Sequence, residues 1–558
     1  MMKDLKIIPL GGLGEIGRNM TIFEYDKKIL IVDIGLMFPG EDLPGIDYVI
    51  PNINYLKGRE KDIVGVLITH GHLDHIGAIG HIIGKIGNPP IYAGELTKQI
   101  ILKKQEDFTT HYKLKIGLLN NDSKLYLKPF IVEPFKITHT IPDNFGFVIK
   151  TPVGNVVHTS DFKFDSNPIN EKPTDINRLK RIGDEGVLLL MSDSTGAENP
   201  GHSLSEQDIY KNLEEMFAKE TERRIIATTF SSLLNRIYQV VKLSEKYNRK
   251  VLIEGYSMEN NVKIAKELGY INIQKNIFIS RKGVDNIPDN QLTIICTGAQ
   301  GEDNAVLMRI INKEHPKIQL QKNDTVVLSS SVVPGNERTV QTLKDNMMRQ
   351  GVKVYHYKMM DIHAGGHAQQ DELEKMIKIM KPKYFIPIHG QYSMMHSHAQ
   401  LAEKAGIPKK NIAIIENGDI LNLNSERMYK DEKTADTGYV LVDGLGVGDV
   451  CDVVLDDRIA LSDDGIFVVI AVVSMKEKKV LKSPDIISRG FIYLQESRDL
   501  LKEVRKFITF TVNTSMQKTK KTSDLINVKK ELKREVTDLL YKRIKRRPMV
   551  IPVIIDLN

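Results

Sequence analysis

Four potential metal ligands fall within six residues of this 558-residue chain, in the stretch His70-Gly71-His72-Leu73-Asp74-His75. Neutral imidazole suits zinc, and a carboxylate suits a harder cation. Two histidines two residues apart can bind one metal ion, and the aspartate and histidine that follow can face a second ion. Three histidines in six residues are rare in an ordinary solvated turn, so the stretch predicts a metal site.

Apolar segments on both sides place these ligands on a tight loop. Residues 63–68 form an apolar run that predicts a short buried strand, and residues 78–83 predict the start of a helix. Open α/β sheets place their sites at the carboxyl ends of strands. The loop is therefore expected to present its side chains at such an edge.

Further candidates each follow an apolar segment that predicts a strand, and they are Asp33, His139, Asp161, Asp193 and His389. Each would lie at the same kind of sheet edge as the histidine-rich loop. An acidic residue such as Asp33 can orient a metal-bound histidine through a hydrogen bond. Taken alone it can equally form a turn, and the sequence leaves both interpretations open.

The middle of the chain alternates predicted strands and helices, which indicates a parallel α/β sheet. Small polar loops follow several of its strands, including Ser231-Ser232 and Ser329-Ser330-Ser331. Such loops offer backbone N–H groups to phosphates, but they also serve as ordinary turns between a strand and a helix.

Composition favours a globular protein of about three domains, with 41% hydrophobic and 27% charged residues. Cys296 and Cys451 provide neither a disulfide framework nor a thiolate metal site. No apolar run approaches the roughly 18 residues of a membrane span, and no secretion signal is evident at Met1, so we expect a cytoplasmic protein without membrane attachment.

The basic charge is concentrated at the end of the chain. Residues 501–558 hold 15 Lys and Arg against 6 Asp and Glu, whereas the first 500 residues hold 63 against 65. This indicates either an anionic partner or a solvated basic helix. Strands at 466–473 and 549–555 and helices near 496–515 and 525–546 predict a small α+β domain, whose strands need a sheet partner from the same or from another chain.

Motifs along nearly the whole chain resemble the β-CASP branch of metallo-β-lactamase nucleases, and specifically the ribonuclease J family. The matching stretches are GGLGEIGRN, HGHLDH, His139 with IPD, TSDFK around Asp161, DST at Asp193, TGAQGE, VPGNE, HAGGHA, PIHGQY and SPDIISRGF. The resemblance implies a metallo-β-lactamase αββα sandwich with an inserted β-CASP α/β domain and a small α+β C-terminal domain. The boundaries that we expect are a metallo-β-lactamase core at 1–205 and 361–436, the β-CASP domain at 206–360, a linker at 437–455, and a basic C-terminal domain for oligomerisation or RNA binding at 456–558.

The resemblance also implies a metal-dependent ribonuclease with 5′-to-3′ exonuclease and endonuclease activity on single-stranded RNA, in mRNA decay and rRNA processing. Two ions, Zn²⁺ or alternatively Mn²⁺, would supply a hydroxide that attacks the phosphodiester. The expected ligands are His70, His72 and His139 for one ion, Asp74, His75 and His389 for the other, and Asp161 as the bridge.

Other site residues follow from the same resemblance. Asp74, Asp193 and His367 are expected to act in catalysis, with His367 donating to a phosphate oxygen. RNA contacts are expected from Ser231, Ser232, Arg236, Ser329, Ser330, Ser331, His363, Gly365, Gly366 and His367. The expected partners are RNA with a 5′ monophosphate and a second copy or a paralogue, in a dimer or tetramer through the C-terminal domain.

Three positions depart from the family pattern. This chain has Leu233-Leu234-Asn235-Arg236 where the family has Asn-x-His-Arg, Gly365 where it has Ser, and Gly196 where Asn often follows Asp-Ser-Thr. The first two positions leave open the balance of exonuclease and endonuclease activity. Alternatives are a catalytically weak RNA-binding partner of an active paralogue, a DNA-directed nuclease of the same branch and a small-molecule metallohydrolase. The inserted module and the basic tail argue against the small-molecule enzyme.

Overall fold

The computed structural model divides the chain into two compact units. One unit comprises Met1–Phe38 and Val49–Val440, and the other comprises Pro39–Tyr48 and Leu441–Asn558. The structure describes residues 3–40, 42–108, 112–273, 276–302, 305–330, 332, 336–444, 446–450, 452–491, 498–518 and 524–557.

The strands are numbered in chain order. They are β1 (Leu5–Gly11), β2 (Met20–Tyr25), β3 (Lys28–Val32), β4 (Tyr48–Ile50), β5 (Ile63–Leu67), β6 (Ile91–Ala93), β7 (Ile116–Leu118), β8 (Leu125–Leu127), β9 (Phe130–Lys136), β10 (Phe145–Thr151), β11 (Gly154–His158), β12 (Leu189–Asp193), β13 (Ile225–Thr228), β14 (Lys250–Glu254), β15 (Leu292–Cys296), β16 (Thr325–Leu328), β17 (Lys353–His356), β18 (Tyr384–Ile388), β19 (Asp419–Leu423), β20 (Met428–Thr434), β21 (Val440–Asp443), β22 (Gly446–Val447), β23 (Ile466–Ser474), β24 (Lys479–Val480), β25 (Asp485–Arg489) and β26 (Met549–Asp556).

The α-helices are numbered in the same way. They are α1 (Leu73–Ile76), α2 (Ile79–Ile82), α3 (Glu95–Gln105), α4 (Ile176–Asp184), α5 (Glu206–Lys219), α6 (Leu234–Lys246), α7 (Tyr256–Glu267), α8 (Val306–Ile311), α9 (Glu337–Arg349), α10 (Gln370–Met380), α11 (Tyr392–Lys404), α12 (Asp452–Asp464), α13 (Arg498–Gln517) and α14 (Leu525–Ile544). Short 3₁₀ helices cover Asn54–Leu56, Glu60–Asp62, Arg281–Asn286, Asp289–Gln291 and Lys409–Asn411.

Two sheets of the larger unit share one hydrophobic core. The first sheet has the order β20-β19-β1-β2-β3-β5-β6-β7, and the second has the order β18-β12-β11-β10-β9-β8. Phe23 and Leu30 of the first sheet and Phe147 and Ile386 of the second belong to the same buried cluster. Helices α4, α10 and α11 cover the outer face of the second sheet through a further apolar cluster. The two packed sheets and this helix layer agree with the αββα sandwich that the family resemblance implied.

The inserted module contains a separate sheet. Its five strands have the order β14-β15-β13-β16-β17 and all pair in parallel. The three central strands, β13, β15 and β16, are mostly apolar and buried at every position. Strands buried on both faces have this pattern because helices cover both sides of a parallel sheet, and the apolar side chains of α8 and α9 pack on this one.

The smaller unit is built around β23. This strand pairs with β24 and β25 in antiparallel and with β26 in parallel. Helices α13 and α14 bury their apolar stripes, including Val504 and Leu532, against one face of the sheet. The two helices and two of the strands, β23 and β26, match the segments predicted from the sequence, whereas β24 and β25 were not predicted.

The stretch expected as a linker at 437–455 has secondary structure of its own. It contains β21, β22 and the first turn of α12, since Val440–Asp443 is an apolar segment that pairs with Gly446–Val447. The division between the two units falls inside this stretch, after Val440. Among the helices of the described residues, none has the length and hydropathy needed to cross a bilayer.

Candidate metal centre

The predicted ligands lie at the carboxyl ends of strands from both sheets of the sandwich. β5 leads to His70 and His72, and the single turn of α1 supplies Asp74 and His75. The remaining three, His139, Asp161 and His389, follow β9, β11 and β18. Each strand thus ends at the same edge, which brings residues more than 300 positions apart into one cluster.

Close backbone approaches turn these strand ends toward the site. A Cβ atom on Gly35 would lie 1.6 Å from the Asp74 carbonyl oxygen, so only glycine permits the turn after β3 to contact α1. Asp33, Ser160 and His389 adopt left-handed backbone with φ of 62°, 64° and 52°. Such conformations are uncommon for residues other than glycine and concentrate at functional sites.

Three histidines form the first half of the cluster. His70 Nε2 lies 3.0 Å from His72 Nδ1, and His139 Nε2 lies 3.2 Å from the same His72 atom. His70 and His139 are buried and His72 is half-buried. Three imidazole nitrogens that converge at this spacing can bind one metal ion.

The second half combines carboxylates and histidines. Asp161 Oδ2 lies 3.2 Å from His75 Nε2 and 3.5 Å from His389 Nε2, and Asp74 Oδ2 lies 3.4 and 3.3 Å from the same two nitrogens. Asp161 Oδ2 also lies 3.9 Å from His70 Nε2 of the first half. Asp161 therefore stands between the two sets of donor atoms.

Electrostatics distinguish the two halves. Burial lowers the pKa of His70 and His139 well below the usual range and lowers the pKa of His72 to about 4. These three imidazoles are held neutral, which is the form that binds a metal. Burial also opposes charge on His75, but the carboxylates of Asp161, Asp74 and Asp33 outweigh it and raise the pKa of His75 well above its usual range.

The carboxylates of Asp161 and Asp74 have lowered pKa values, which means that they favour a positive charge beside them. Burial alone would raise the pKa of Asp161 and Asp74, but the adjacent His389 and His75 hold both values below the usual range. Carboxylates that favour an adjacent positive charge, together with imidazoles, match the donor set of a divalent transition-metal site. The residues present therefore fit a bound metal, while their individual assignment as ligands stays a prediction.

Hydrogen bonds from neighbouring residues orient the imidazoles. Asp33 Oδ2 lies 2.7 Å from His75 Nδ1, so of the two interpretations of Asp33 the structure supports the orienting one. Thr69 Oγ1 lies 2.9 Å from Asp33 Oδ2 and 3.0 Å from His70 Nδ1. Thr195 Oγ1 lies 2.8 Å from His389 Nδ1. Sequence reasoning missed these roles of Thr69 and Thr195, although Thr69 precedes His70 and Thr195 belongs to the DST stretch.

Asp193 and His367 adjoin the cluster. Asp193 Oδ2 lies 2.8 Å from His367 Nδ1, and the His367 ring stacks on that of His389 with centroids 5.4 Å apart. The side chain of His367 is 25% exposed, whereas Asp193 is buried. The hydrogen bond to Asp193 leaves His367 Nε2 free to meet a substrate.

The predicted RNA contacts separate into two groups. Ser231, Ser232, His363 and His367 are half-buried and Gly365 is exposed, so these remain accessible to a ligand. The buried members are occupied by protein partners: Arg236 pairs with Glu206, Ser329 donates to a backbone carbonyl, Ser330 accepts from Gln300, and Gly366 packs on His139. Ser331 lies outside the described residues.

The prediction that Arg236 and Ser329 hold an RNA phosphate does not match this geometry. Arg236 is 1% exposed, and its guanidinium donates to Glu206, Gln239, Ser329 and the Ile362 carbonyl. A phosphate would have to replace a buried ion pair and several hydrogen bonds. These two side chains therefore hold the protein together in this structure.

Fold and site together define a class, a metal-dependent hydrolase of the metallo-β-lactamase superfamily. Four family models match the chain: the metallo-β-lactamase superfamily at residues 13–225, the ribonuclease J β-CASP domain at 222–347, the Zn-dependent metallo-hydrolase RNA specificity domain at 356–413 and the ribonuclease J C-terminal domain at 453–557.

Similar proteins narrow the class further. Ribonuclease J 2 of Staphylococcus aureus is 38% identical over 555 residues, which cover 100% of this chain and 99% of that protein. Ribonuclease J 1 of Streptococcus pyogenes is 40% identical over 554 residues, covering 99% and 98%. A crystal structure of a protein of unknown function from Enterococcus faecalis shares the fold at a TM-score of 0.53 and 16% identity, covering 75% of this chain and all of that one.

The chain belongs to the ribonuclease J family, at 38–40% identity over its full length. It is a hydrolytic, metal-dependent RNA nuclease, which confirms the enzyme class and the fold predicted from the sequence. The histidine and aspartate clusters fit metal binding.

Proposed function

We propose that this protein hydrolyses single-stranded RNA with two divalent ions, acting both as a 5′-to-3′ exonuclease and as an endonuclease in mRNA decay and rRNA processing. The observation that carries the proposal is the position of Asp161, whose Oδ2 lies within 3.9 Å of His70 and within 3.5 Å of His75 and His389. One carboxylate between two donor sets is the arrangement that a pair of ions requires.

The ligand assignment follows from these contacts. His70, His72 and His139 would hold one ion, Asp74, His75 and His389 the other, and Asp161 both. Zn²⁺ suits the imidazole-rich set, and Mn²⁺ is the alternative for the set with two carboxylates. When bound, such a pair of ions acidifies water and neutralises the charge that develops on the phosphate.

The chain's own residues would complete the chemistry. Asp193 fixes His367 through Nδ1 at 2.8 Å, so that Nε2 can donate a proton to a phosphate oxygen. Asp33, Thr69 and Thr195 keep the imidazoles of His75, His70 and His389 turned with Nε2 toward the cluster. Burial of the cluster excludes bulk water, which strengthens each of these electrostatic contacts.

Accessible polar groups of the inserted domain support the proposed RNA contacts. Ser231 lines a cavity of about 550 Å³ together with Ser257, Thr297 and Arg309, and with the carboxylates of Glu254 and Glu259. Hydroxyl groups and arginines of this kind bind phosphate oxygens. Gly365 lies next to Gly366 and His367 with open space beside its Cα, so its backbone can approach a phosphate closely. These groups would hold an RNA 5′ monophosphate ahead of the cleaved bond.

The 5′ preference is tested with matched substrates. Three oligonucleotides of one sequence would be compared: RNA with a 5′ monophosphate, RNA with a 5′ hydroxyl, and DNA with a 5′ monophosphate. We expect stepwise degradation of the first RNA at least about tenfold faster than of the second, because charge-assisted hydrogen bonds to the terminal phosphate contribute about 1.5–3 kcal/mol. DNA should resist.

Several results would contradict this account. Equal rates for both RNAs would contradict the proposed recognition of the 5′ monophosphate. Rapid digestion of the DNA would favour a DNA-directed nuclease. RNA binding without cleavage in the presence of Zn²⁺ or Mn²⁺ would favour an RNA-binding partner of an active paralogue.

The smaller unit offers a surface for self-association. Helices α13 and α14 cover one face of its sheet. On the other face, the side chains of Ile487, Ile551 and Ile555 are 46%, 37% and 43% exposed. Val468 of β23 pairs with Ile487 on one side and Ile551 on the other, which makes a continuous apolar row. Exposed apolar rows of this kind mark interaction sites. We propose that a second copy or a paralogue covers this face in a dimer or tetramer.

Ile551→Glu is expected to convert the oligomer to a monomer, because a carboxylate in the middle of an apolar interface would be buried without a partner. Light scattering coupled to size-exclusion chromatography measures the change. Ile526→Glu is the matched control, because Ile526 is exposed on α14 rather than on the sheet. An unchanged mass for Ile551→Glu would contradict the proposed interface.

We also propose the domain limits expected from the sequence, with the sandwich at 1–205 and 361–436, the inserted domain at 206–360 and the C-terminal domain from 456. The boundaries agree with the switch in sheet membership between β12 and β13 and between β17 and β18. A role in RNA turnover would place the protein in the cytoplasm.

A further inference from the structure

The loop of residues 361–368 connects the inserted domain to the metal centre. It leaves β17 of the inserted sheet and reaches α10 of the sandwich. Near its end, the carbonyl oxygen of Gly366 lies 2.7 Å from Nδ1 of His139. This contact places the Nδ1 proton of His139 toward the loop and leaves Nε2 for the metal cluster.

The loop also packs directly on the His139 ring. A Cβ atom on Gly366 would lie 2.4 Å from Cε1 and 2.7 Å from Nδ1 of His139. A shift of the loop backbone by a few tenths of an ångström would therefore either press on the ring or lengthen the hydrogen bond. The orientation of His139 depends on what fixes this loop.

The start of the loop is fixed from the inserted domain. The Ile362 carbonyl accepts a hydrogen bond from Ser329 Oγ at 2.7 Å and another from the Arg236 guanidinium. Arg236 Nη1 donates to Ser329 Oγ as well, at 2.5 Å. Asn212 Nδ2 donates to the Asp361 carbonyl at 2.8 Å.

A buried ion-pair chain holds Arg236 in place. Glu206 Oε2 accepts a hydrogen bond from Arg236 Nη2 at 3.0 Å, and Glu206 Oε1 accepts one from Lys163 Nζ at 3.0 Å. Glu206, Arg236, Lys163 and Ser329 are each at most 2% exposed. Lys163 lies two residues after Asp161. The series of ion pairs and hydrogen bonds therefore runs from the segment next to Asp161 through the inserted domain to the loop of residues 361–368.

We propose that Ser329 and Arg236 are positioning residues, which clamp the Ile362 carbonyl and thereby set the imidazole of His139 at the metal centre. The inference rests on the proposed role of His139 as a ligand. It gives the inserted domain a part in building the metal site in addition to binding RNA. It also explains why these two side chains face protein groups rather than solvent.

Cobalt binding to the chelator-treated full chain tests the clamp, because Co²⁺ bound by histidines has visible absorption that reports affinity and geometry without any turnover. Ser329→Ala removes the hydroxyl that bridges Arg236 and Ile362. Loss of a partner that contacts a metal ligand directly costs 10- to 100-fold in metal affinity. Ser329 does not contact His139 itself and acts through the loop. We therefore expect that Ser329→Ala raises the Kd for one of the two Co²⁺ ions about three- to tenfold.

Controls separate the clamp from the ligand assignment. Ser244→Ala removes another buried serine, whose hydroxyl donates to the Val240 carbonyl within α6, and it should bind Co²⁺ like the wild type. His139→Ala should lose one of the two ions. If His139→Ala binds both ions normally, the proposed metal site is wrong.

A second outcome would contradict the positioning role but leave the metal site standing. In that outcome His139→Ala loses one ion, while the Kd of Ser329→Ala stays within twofold of the wild type. Arg236→Lys provides a second variant, because lysine keeps the charge beside Glu206 but cannot reach both Ser329 and Ile362 with a fork of donors. It is expected to raise the same Kd at least as much as Ser329→Ala, and an unchanged Kd in Arg236→Lys would likewise contradict the proposal.

Discussion

His75→Ala is expected to reduce the rate of RNA cleavage by at least about a thousandfold and to leave the affinity for RNA nearly unchanged. His75 Nε2 lies 3.2 Å from Asp161 and 3.4 Å from Asp74, while Nδ1 is held by Asp33 at 2.7 Å. Removing the imidazole deletes one proposed ligand and leaves three carboxylates without their shared partner. Single-turnover cleavage and equilibrium binding of one labelled RNA measure the two effects separately.

The matched control for this substitution is His202→Ala. His202 is an exposed histidine paired with Asp371, and its side chain is 69% exposed. Its replacement should leave both cleavage and binding unchanged, and both variants should keep the wild-type circular dichroism spectrum. Full cleavage by a folded His75→Ala protein would contradict the two-ion scheme.

His367→Ala is expected to lower kcat by about 10²- to 10⁴-fold, the usual contribution of a general acid or base. It should keep both metal ions, because the proposed ligand sets do not include His367. His367 stands at the border of the cluster, with Nδ1 bonded to Asp193 and its ring stacked on His389. Stopped-flow cleavage and metal analysis of the same sample distinguish His367→Ala from His75→Ala, because His75→Ala should lose metal.

Asp193→Asn provides a graded companion to this experiment. An amide can still bond to His367 but no longer carries the charge that favours the protonated ring. Its loss of kcat should be smaller than that of His367→Ala. An unaltered kcat in His367→Ala would assign proton donation to another group.

The sequence was most informative where ligands are neighbours. The spacing in HGHLDH sufficed to predict a metal site, because His70, His72, Asp74 and His75 share one short turn. His139, Asp161 and His389 could be attached to it through the family resemblance and their positions after apolar strands. The geometry that joins them depends on two sheets packing face to face, which no local pattern contains.

Arg236 illustrates what the sequence could not supply. A cation after a strand and a polar loop is typical of a phosphate contact, and its spacing gave no sign of a partner. Its partner Glu206 lies 30 residues earlier at the start of α5, and Ile362 lies 126 residues later. Burial decides the role here, since a guanidinium that is 1% exposed must satisfy its donors within the protein.

Thr69 and Thr195 were missed for a related reason. Thr69 precedes His70 and Thr195 ends the DST stretch, but threonine at a strand end is ordinary and carries no signal of its own. Their roles become visible only when Thr69 Oγ1 is found between Asp33 and His70, and Thr195 Oγ1 beside His389.

The number of metal ions per chain, measured during recovery of activity, tests the central claim most directly. Chelator-treated full-length protein would be titrated with Zn²⁺ or Mn²⁺, with bound metal determined by elemental analysis and cleavage of a 5′-monophosphorylated RNA followed in the same samples. We predict no cleavage without metal, two bound ions per chain at saturation, and cleavage that rises with the second ion. Full cleavage by metal-free protein, or at saturation with a single bound ion, would contradict the proposed site.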